Sequence, residues 1–193
     1  MNFEFATAQR IVFGPGKRAE LPALAASFGS RLLLVTGKSG RGGDGLQPVL
    51  HVRIEGEPTF EMMRAQLPAV RTAACDVVVA VGGGSVLDAG KALAMLLTNP
   101  GDPLDYAEVI GAGRPIAHPS VPFIAVPTTA GTGAEATRNA VLGSPSHGVK
   151  VSLRSPFMLP RVALVDPELA LGLPPALTAA TGMDALSQLI EPF

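Results

Sequence analysis

The 193-residue sequence contains a single cysteine, few charged residues and no long apolar run. Cys75 cannot form an internal disulfide, which is typical of a reducing compartment and leads us to expect a cytoplasmic protein. With 15 basic and 16 acidic residues the net charge is −1, so the basic surface of a nucleic-acid-binding protein is missing. The sequence contains no stretch of about 18 uncharged apolar residues, which a transmembrane helix would require. The first residues also lack the pattern of a signal peptide.

Apolar residues make up 47% of the chain, and 22 glycines and 18 prolines are spread along it. This apolar fraction is too high for a disordered chain. The scattered glycines and prolines indicate many tight turns between short elements rather than a linker. The length suits one domain or slightly more, on a scale of roughly 100–200 residues per domain.

Short apolar runs alternate with segments of helical periodicity, which predicts an α/β fold with a Rossmann-like parallel sheet and flanking helices. The strongest strand candidates are nearly continuous apolar runs, as in strands buried on both faces; they are residues 31–36, 76–81 and 122–127. Weaker candidates are residues 49–54, 149–153 and 161–165, and an N-terminal strand pair at 3–5 and 11–13. Helices are predicted over 17–29, 58–74 with a kink or break at Pro68, 86–97, and from Pro174 to the last residue.

The last predicted helix carries an apolar face, and the sequence offers no further element to pack against it. Leu186, Leu189, Ile190 and Phe193 recur at the spacing of one helix face. Natural termini are usually polar and mobile, so we expect either a fragment or a partner that covers this helix. The N-terminal strand pair and this helix also favour association, and a homo-oligomer is expected.

Residues 82–85, Gly-Gly-Gly-Ser, lie between a predicted buried strand and a helix. Residues without a Cβ let backbone N–H groups approach an anion, and the helix N-terminus adds donors and a positive dipole end. Ser85 and Asp88 resemble a capping box. A G-x-G-x-x-G fingerprint fails at Leu87, and a Walker motif fails at Ala92. We therefore predict a nucleotide or sugar-phosphate site that is not a P-loop; the alternative is a tight structural turn.

Polar residues also follow the predicted strand at 122–127. The hydroxyls of Thr128, Thr129 and Thr132 can hydrogen-bond ribose, amide or phosphate groups, although a local turn is the alternative. Ligands of parallel sheets bind at the carboxyl ends of strands. The turns at Gly37, Gly82 and Thr128 are therefore expected to lie together at one edge of the sheet.

Asp184 and Gln188 are four residues apart on the last predicted helix and share a face. A carboxylate and an imidazole at this spacing would form half of a metal site. An amide oxygen binds a transition metal less well than imidazole nitrogen does, and an exposed polar helix face is the alternative interpretation.

Five longer motifs, in order, resemble the iron-containing (group III) alcohol dehydrogenases; they are residues 13–16, 81–92, 126–137, 166–169 and 173–186. The resemblance implies an N-terminal α/β dinucleotide-binding domain, here residues 1–173. Residues 174–193 would be the opening helix of an all-helical domain that this chain lacks. It also implies hydride transfer between NAD(P) and a small alcohol, aldehyde or ketone, with a divalent metal, Fe or Zn, polarising the substrate oxygen.

The resemblance also implies roles for individual residues. By position, the cofactor contacts would be Gly83, Gly84, Ser85, Asp88, Thr128, Thr129, Thr132, Asn139, Val141 and Lys150. The Lys150 ammonium would lie near a ribose hydroxyl or a phosphate. Asp184 matches the first metal ligand of the family, whereas Gln188 stands where most members have histidine.

The turn after the first central strand bears on the choice of coenzyme. Members of the family often carry an acidic residue there that binds the adenosine ribose. This chain has Gly37 there, followed by Lys38 and Ser39, and we expect Gly37 and Ser39 to contact the coenzyme. A missing carboxylate and the nearby Lys38 cation would tolerate a 2′-phosphate, so the sequence favours NADP over NAD. Two other functions stay open: Gln188 suggests a metal-independent reductase of the maleylacetate reductase type, and the apolar last helix suggests a non-catalytic nucleotide-binding module.

Overall fold

In the computed structural model, which describes residues 2–191, six parallel strands form one sheet in the order β1-β8-β5-β4-β2-β3. A separate antiparallel hairpin consists of β6 and β7. The strands are β1 Ile11–Phe13, β2 Leu32–Gly37, β3 Leu50–Ile54, β4 Val77–Gly82, β5 Phe123–Pro127, β6 Asn139–Ser144, β7 Val149–Arg154 and β8 Val162–Val165. The predicted parallel α/β sheet is thus confirmed.

Four α-helices connect the strands or follow them; they are α1 Leu21–Phe28, α2 Phe60–Thr72, α3 Gly84–Thr98 and α4 Pro175–Ile190. Several single turns of 3-10 helix, including one at Pro103–Tyr106, lie in the connections. None of these helices within residues 2–191 is long and apolar enough to cross a membrane.

The continuous apolar runs form the centre of the sheet because both of its faces are covered. Successive side chains of a strand point to opposite faces, and the buried residues divide accordingly. Leu33 and Val78 belong to the cluster that packs with α2, α3 and the hairpin. Leu34 and Val79 belong to the cluster on the other face, which includes residues of α1. In β2, β4 and β5 the side chains on both faces are buried, so nearly every residue of these strands is apolar.

The predicted N-terminal strand pair is wrong. Only Ile11–Phe13 forms a strand, and it pairs in parallel with β8 rather than with the residues before it. Phe3 and Phe5 lie outside regular structure with 82% and 80% of their surface exposed. The segment before β1 is held elsewhere, since the Thr7 hydroxyl donates to the Ala136 carbonyl at 3.1 Å.

The helix does not end at Pro68, where a kink or break was predicted, because α2 continues through this residue. Pro68 lies on the exposed side of the helix, as does Arg64 four residues earlier. The Arg64 carbonyl that loses its helical donor is therefore open to water, which lowers the cost of the proline. Thr59 caps the helix start, its hydroxyl accepting from the Met62 N–H at 3.1 Å.

Candidate functional site

The three turns predicted to converge line one cleft at the carboxyl ends of the central strands. Its volume is about 510 Å³, and Gly37, Gly83 and Thr128 are part of its wall. These residues follow β2, β4 and β5, which are neighbours in the sheet. Because parallel strands end at the same edge, the chain order of the three turns becomes a spatial cluster.

The glycine turn after β4 presents backbone donors at the start of α3. The N–H groups of Val86 and Leu87 both donate to the Gly83 carbonyl, at 3.0 and 3.1 Å. Gly84 and Ser85 come before them in the first helical turn, where an N–H group has no acceptor within the helix. The predicted capping by Ser85 is wrong, since Gly83 is the N-cap and no side chain caps the helix. The N–H groups of this turn are thus left for an anion.

Glycine is needed in this turn for close packing. A Cβ on Gly82 would lie 2.6 Å from the Cβ of Val86, and one on Gly84 would lie 3.1 Å from Cγ2 of Thr132. A Cβ on Gly83 would lie 3.5 Å from Cγ2 of Thr129. The structure thus brings the threonine loop after β5 against the glycine turn. Of the predicted contacts in these two segments, Gly83 and Thr128 line the cleft, whereas Gly84, Thr129 and Thr132 lie in the packed layer beside it.

A second, smaller cavity of about 90 Å³ lies between the start of α3 and the β6–β7 hairpin. Its lining includes Ser85, Asp88, Val141 and Lys150, as well as Glu57. Sequence reasoning missed Glu57, whose carboxylate Oε1 lies 2.6 Å from Nζ of Lys150. No spacing in the sequence indicated this pair, because the two residues meet only when the hairpin folds over the segment before α2.

Asn139, another predicted contact, does not line either of these cavities. It is the first residue of β6 and borders a groove with Thr137, Arg138 and Arg154. Its side-chain oxygen is buried without a hydrogen-bond partner among residues 2–191. The structure therefore places Asn139 beside the predicted site rather than in the described cavities.

Lys91 lies beneath the site, and the sequence did not indicate its role. It is 1% exposed, and its ammonium donates to the hydroxyl and carbonyl of Thr137 at 3.1 and 3.2 Å and to the Asn139 carbonyl. Its Nζ lies 3.7 Å from the Asp88 carboxylate. Burial lowers the pKa of Lys91 to about 8 and raises the pKa of Asp88. Lys91 thus joins α3 to the segment that enters β6 and positions Asp88.

Asp184 and Gln188 meet as the helical spacing predicts, but their contacts do not fit a metal. The Gln188 amide nitrogen donates to Oδ1 of Asp184 at 3.0 Å and to the Gly131 carbonyl at 2.7 Å. Both partners only accept hydrogen bonds, so the amide must present its NH₂ group to them, and that group is not a metal ligand. Residues 2–191 also contain no group of three His, Cys, Asp or Glu side chains able to hold a metal ion.

At the far end of the cleft, Gly37 and Ser39 line the wall as predicted. Lys38 does not belong to the lining, and its ammonium pairs with the Glu55 carboxylate. Both side chains of this pair are exposed, so the role of Lys38 near a 2′-phosphate stays a prediction. The lining instead includes Arg18 and Arg41, together with the carboxylates Asp44 and Glu168.

Comparison with known proteins gives consistent matches. The family model for the iron-containing alcohol dehydrogenases matches residues 8–167. The 4-hydroxybutyrate dehydrogenase of Cupriavidus necator is 45% identical over 149 residues, which are 77% of this chain and 39% of that protein. The 1,3-propanediol dehydrogenase of Klebsiella pneumoniae is 40% identical over 149 residues, which are 77% of this chain and 38% of that protein. The chain thus spans about two fifths of the length of these relatives.

Solved structures share the fold. A sulfoacetaldehyde reductase from Bifidobacterium kashiwanohense, determined in complex with NAD⁺, superposes with a TM-score of 0.88 at 36% identity. The superposition covers 100% of this chain and 54% of that one. A 1,3-propanediol oxidoreductase superposes with a TM-score of 0.83 at 32% identity, covering 98% of this chain and 52% of that one.

Proposed function

This chain belongs to the iron-containing alcohol dehydrogenase family, and we propose that it is the coenzyme-binding part of an enzyme that transfers hydride between NAD(P) and a small alcohol, aldehyde or ketone. One observation carries the proposal: Gly82 and Gly83, in the turn that opens α3, line a cleft of about 510 Å³ at the carboxyl ends of parallel strands. Residues 1–173 would form the dinucleotide-binding domain and residues 174–193 the opening helix of a helical domain. The exposed α4 supports this division, since none of its residues is buried.

The chain's own residues would hold and orient the coenzyme. Backbone N–H groups of Gly83, Gly84 and Ser85 would bind its diphosphate, helped by the dipole of α3. The hydroxyls of the threonine loop would hydrogen-bond the diphosphate or a ribose; they belong to Thr128, Thr129 and Thr132. Further contacts would come from Asp88, Asn139, Val141 and Lys150. The bound nicotinamide supplies the hydride chemistry, and the protein supplies its orientation.

A metal would need more than these residues. Iron or zinc requires about four ligands, counting substrate or water, whereas Asp184 is the only carboxylate here at a position matching the family's ligands. One oxygen of its carboxylate, Oδ1, accepts a hydrogen bond from the Gln188 amide. A metal-assisted reaction would therefore need ligands from residues outside this chain.

The Gln188 contact favours a second candidate function. A reductase of the maleylacetate reductase type would use the same coenzyme cleft without a metal, and the NH₂ group facing Asp184 supports that alternative. Metal removal from a full-length protein that contains this chain separates the two functions. The metal-independent reductase should keep its rate after treatment with a chelator. The metal-assisted enzyme should lose most of its rate and recover it when iron or zinc is added back.

Other aspects of the proposal concern the protein's surroundings. A single buried cysteine, Cys75, supports a cytoplasmic location. Ile11 and Phe13 are exposed on the edge strand β1, and Leu189 on α4, which supports a homo-oligomer. The substrate would be a small molecule, and no nucleic-acid or membrane partner is proposed.

Titration calorimetry of the 193-residue chain with NADP⁺ and NAD⁺ tests the coenzyme site. We expect weak binding and little or no alcohol oxidation by the chain alone. Gly84→Val should weaken binding of both coenzymes about tenfold or more, because its side chain would fill the space beside Thr132. Gly182→Ala, in open space on α4, is the matched control and should bind as the parent does.

Two results would contradict the proposal. Absence of heat with either coenzyme at millimolar concentration would leave the glycine turn as a structural turn. Steady alcohol oxidation by the purified chain would mean that the catalytic machinery is complete within these residues. Binding of a nucleotide by the chain without turnover, if the gene also ends after Phe193, would favour the non-catalytic module.

A further inference from the structure

We infer that Arg41, on the loop between β2 and β3, recognises the 2′-phosphate of NADP and makes the cleft selective for that coenzyme. The inference rests on the proposed function, because it assigns the adenosine end of the same cleft. It names a residue that the motifs do not indicate, and it replaces Lys38, the cation that the sequence favoured.

Glycines bring the loop that carries Arg41 against the sheet. Gly40, Gly42 and Gly45 all have positive φ angles, at 68°, 93° and 77°, a conformation that other residues rarely adopt. A Cβ on Gly42 would lie 2.4 Å from Cγ1 of Val81, so the backbone there touches the end of β4 directly. The loop therefore folds back over the carboxyl edge of the sheet instead of extending into solvent.

Contacts before and after Arg41 hold the loop in this position. The Gly40 N–H donates to the Gly37 carbonyl at 2.9 Å, which closes a tight turn at the end of β2. A Cβ on Gly43 would lie 2.6 Å from Cδ2 of Leu34, again leaving no room for a side chain. Arg41 is thus flanked by two anchored backbone segments, and it lines the cleft together with Gly37 and Ser39.

The two cations that line the cleft are Arg18 and Arg41, and they differ in their partners. Lys38 pairs with Glu55, and Arg18 lies 3.8 Å from Asp44. Within residues 2–191, no acidic side chain forms an ion pair with Arg41. The planar guanidinium can bind two phosphate oxygens at once and keeps its charge at any working pH. A cation that is not neutralised within the fold is available to a dianionic group.

The neighbours of Arg41 complete a phosphate-binding set. Gly37 stands where a carboxylate would accept both hydroxyls of an unphosphorylated ribose, and a carboxylate would repel a 2′-phosphate. The Ser39 hydroxyl borders the same part of the cleft and can donate to a phosphate oxygen. The remaining carboxylates of the lining are Asp44, which is close to Arg18, and Glu168 on the segment after β8.

Calorimetry of the 193-residue chain with four probes tests this assignment: NADP⁺, NAD⁺, 2′,5′-ADP and 5′-AMP. Arg41→Gln should weaken NADP⁺ and 2′,5′-ADP about tenfold or more, because a charge-assisted bidentate contact is lost. Binding of NAD⁺ and 5′-AMP should change less than about twofold. Arg41→Lys should recover part of the loss, since it restores the charge without the bidentate geometry.

Two control variants remove one positive charge each from other places. Arg10→Gln changes an exposed arginine before β1, outside the cleft lining. Lys38→Gln removes the cation that the sequence favoured. Neither should alter the ratio of the NADP⁺ and NAD⁺ dissociation constants more than about twofold, and circular dichroism should show the same melting temperature for all variants.

Each outcome decides the inference. Equal weakening of NADP⁺ and NAD⁺ by Arg41→Gln would overturn it, because Arg41 would then attract any dinucleotide. A ratio that changes with Lys38→Gln and not with Arg41→Gln would overturn it in favour of Lys38. A parent chain that prefers NAD⁺ also overturns it while leaving the coenzyme site intact. A parent chain that binds neither coenzyme overturns the proposed function, and the assignment of Arg41 with it.

Discussion

Helices α3 and α4 both border the candidate site, yet they are built differently. Ten of the 15 residues of α3 are buried, whereas none of the 16 residues of α4 is. The N-terminus of α3 meets the threonine loop through close glycine contacts, and α4 meets the same loop at Gly131, through the Gln188 amide and the Thr181 carbonyl. The proposed coenzyme side of the site is thus built on a closely packed, buried helix, while the Asp184 side is held by few contacts.

The largest effect is expected from removing the buried cation of α3. Lys91→Met would leave the Asp88 carboxylate and two backbone carbonyls without their ammonium partner. We expect a loss of about 3 kcal/mol in the free energy of unfolding, because an uncompensated buried charge remains. Urea denaturation followed by circular dichroism measures it. A loss below about 1 kcal/mol would show that Lys91 contributes little to joining α3 and the hairpin.

A methyl group in the middle of α3 should have the next largest effect. A Cβ on Gly90 would lie 2.7 Å from Cβ of Ala80 and 2.8 Å from Cε2 of Phe123. Gly90→Ala should therefore destabilise the fold by about 2 kcal/mol, although alanine is the better helix former. The same denaturation experiment applies. An unchanged or increased stability would mean that α3 can move away from the sheet at little cost.

Alkaline pH should increase the difference in stability between α3 and α4, because the group that titrates, Lys91, lies on α3. The pKa of Lys91 in the folded state is about 8, below its ordinary value of 10.5. The unfolded chain therefore binds more protons between those pH values, and stability due to Lys91 rises with pH there. The stability difference between the parent and Lys91→Met should grow by about 1 kcal/mol from pH 8 to pH 9. A difference that shrinks over this range would contradict the lowered pKa.

The equivalent glycine substitution in α4 should have the opposite sign. Nothing lies within 4 Å of a Cβ built on Gly182, so alanine meets no obstacle there. Gly182→Ala should stabilise α4 by about 0.7 kcal/mol through helix propensity alone. Hydrogen exchange of the α4 amides is the suitable measurement, since the gain is local. Faster exchange would indicate that α4 packs on a surface that the described contacts do not show.

The smallest effect concerns the contact between α4 and the threonine loop. Gln188→Ala removes both hydrogen bonds of the amide, and coenzyme binding should weaken about two- to threefold because the loop loses one support. Gln188→Asn, with a shorter side chain, is the matched control and should not rescue it. Calorimetry with NADP⁺ gives the comparison; tighter binding in Gln188→Ala would mean that the contact restrains the loop in an unfavourable position.

Much of the fold could be predicted because its signals are local. The apolar runs that became β2, β4 and β5 and the periodic segments of α1 to α3 follow from side-chain spacing within a few residues. The strand β6 was missed, since Asn139–Ser144 contains polar residues and glycine and is a strand only because β7 pairs with it. The residues at 3–5 failed for the converse reason, as they alternate like a strand but have no partner.

The candidate site divides in the same way. The glycine turn and the threonine loop could be found from the sequence, because their composition and their place after buried strands carry the signal. The partners of charged residues could not. Lys38 and Arg41 are three residues apart, yet one pairs with Glu55 outside the cleft and the other lines the cleft. That difference depends on where the loop folds back, which positive-φ glycines permit and contacts with β2 and β4 determine.

Local sequence alone thus determined the alternation of strands and helices and the position of the glycine turn, because these depend on hydrophobic spacing and on residues without a Cβ. Tertiary structure decided which distant polar groups meet: Lys91 with the carbonyls of Thr137 and Asn139, Lys150 with Glu57, and Lys38 with Glu55. The Glu57–Lys150 pair joins residues 93 positions apart, and the energy of such a contact depends on distance and burial, which exist only once the chain has folded.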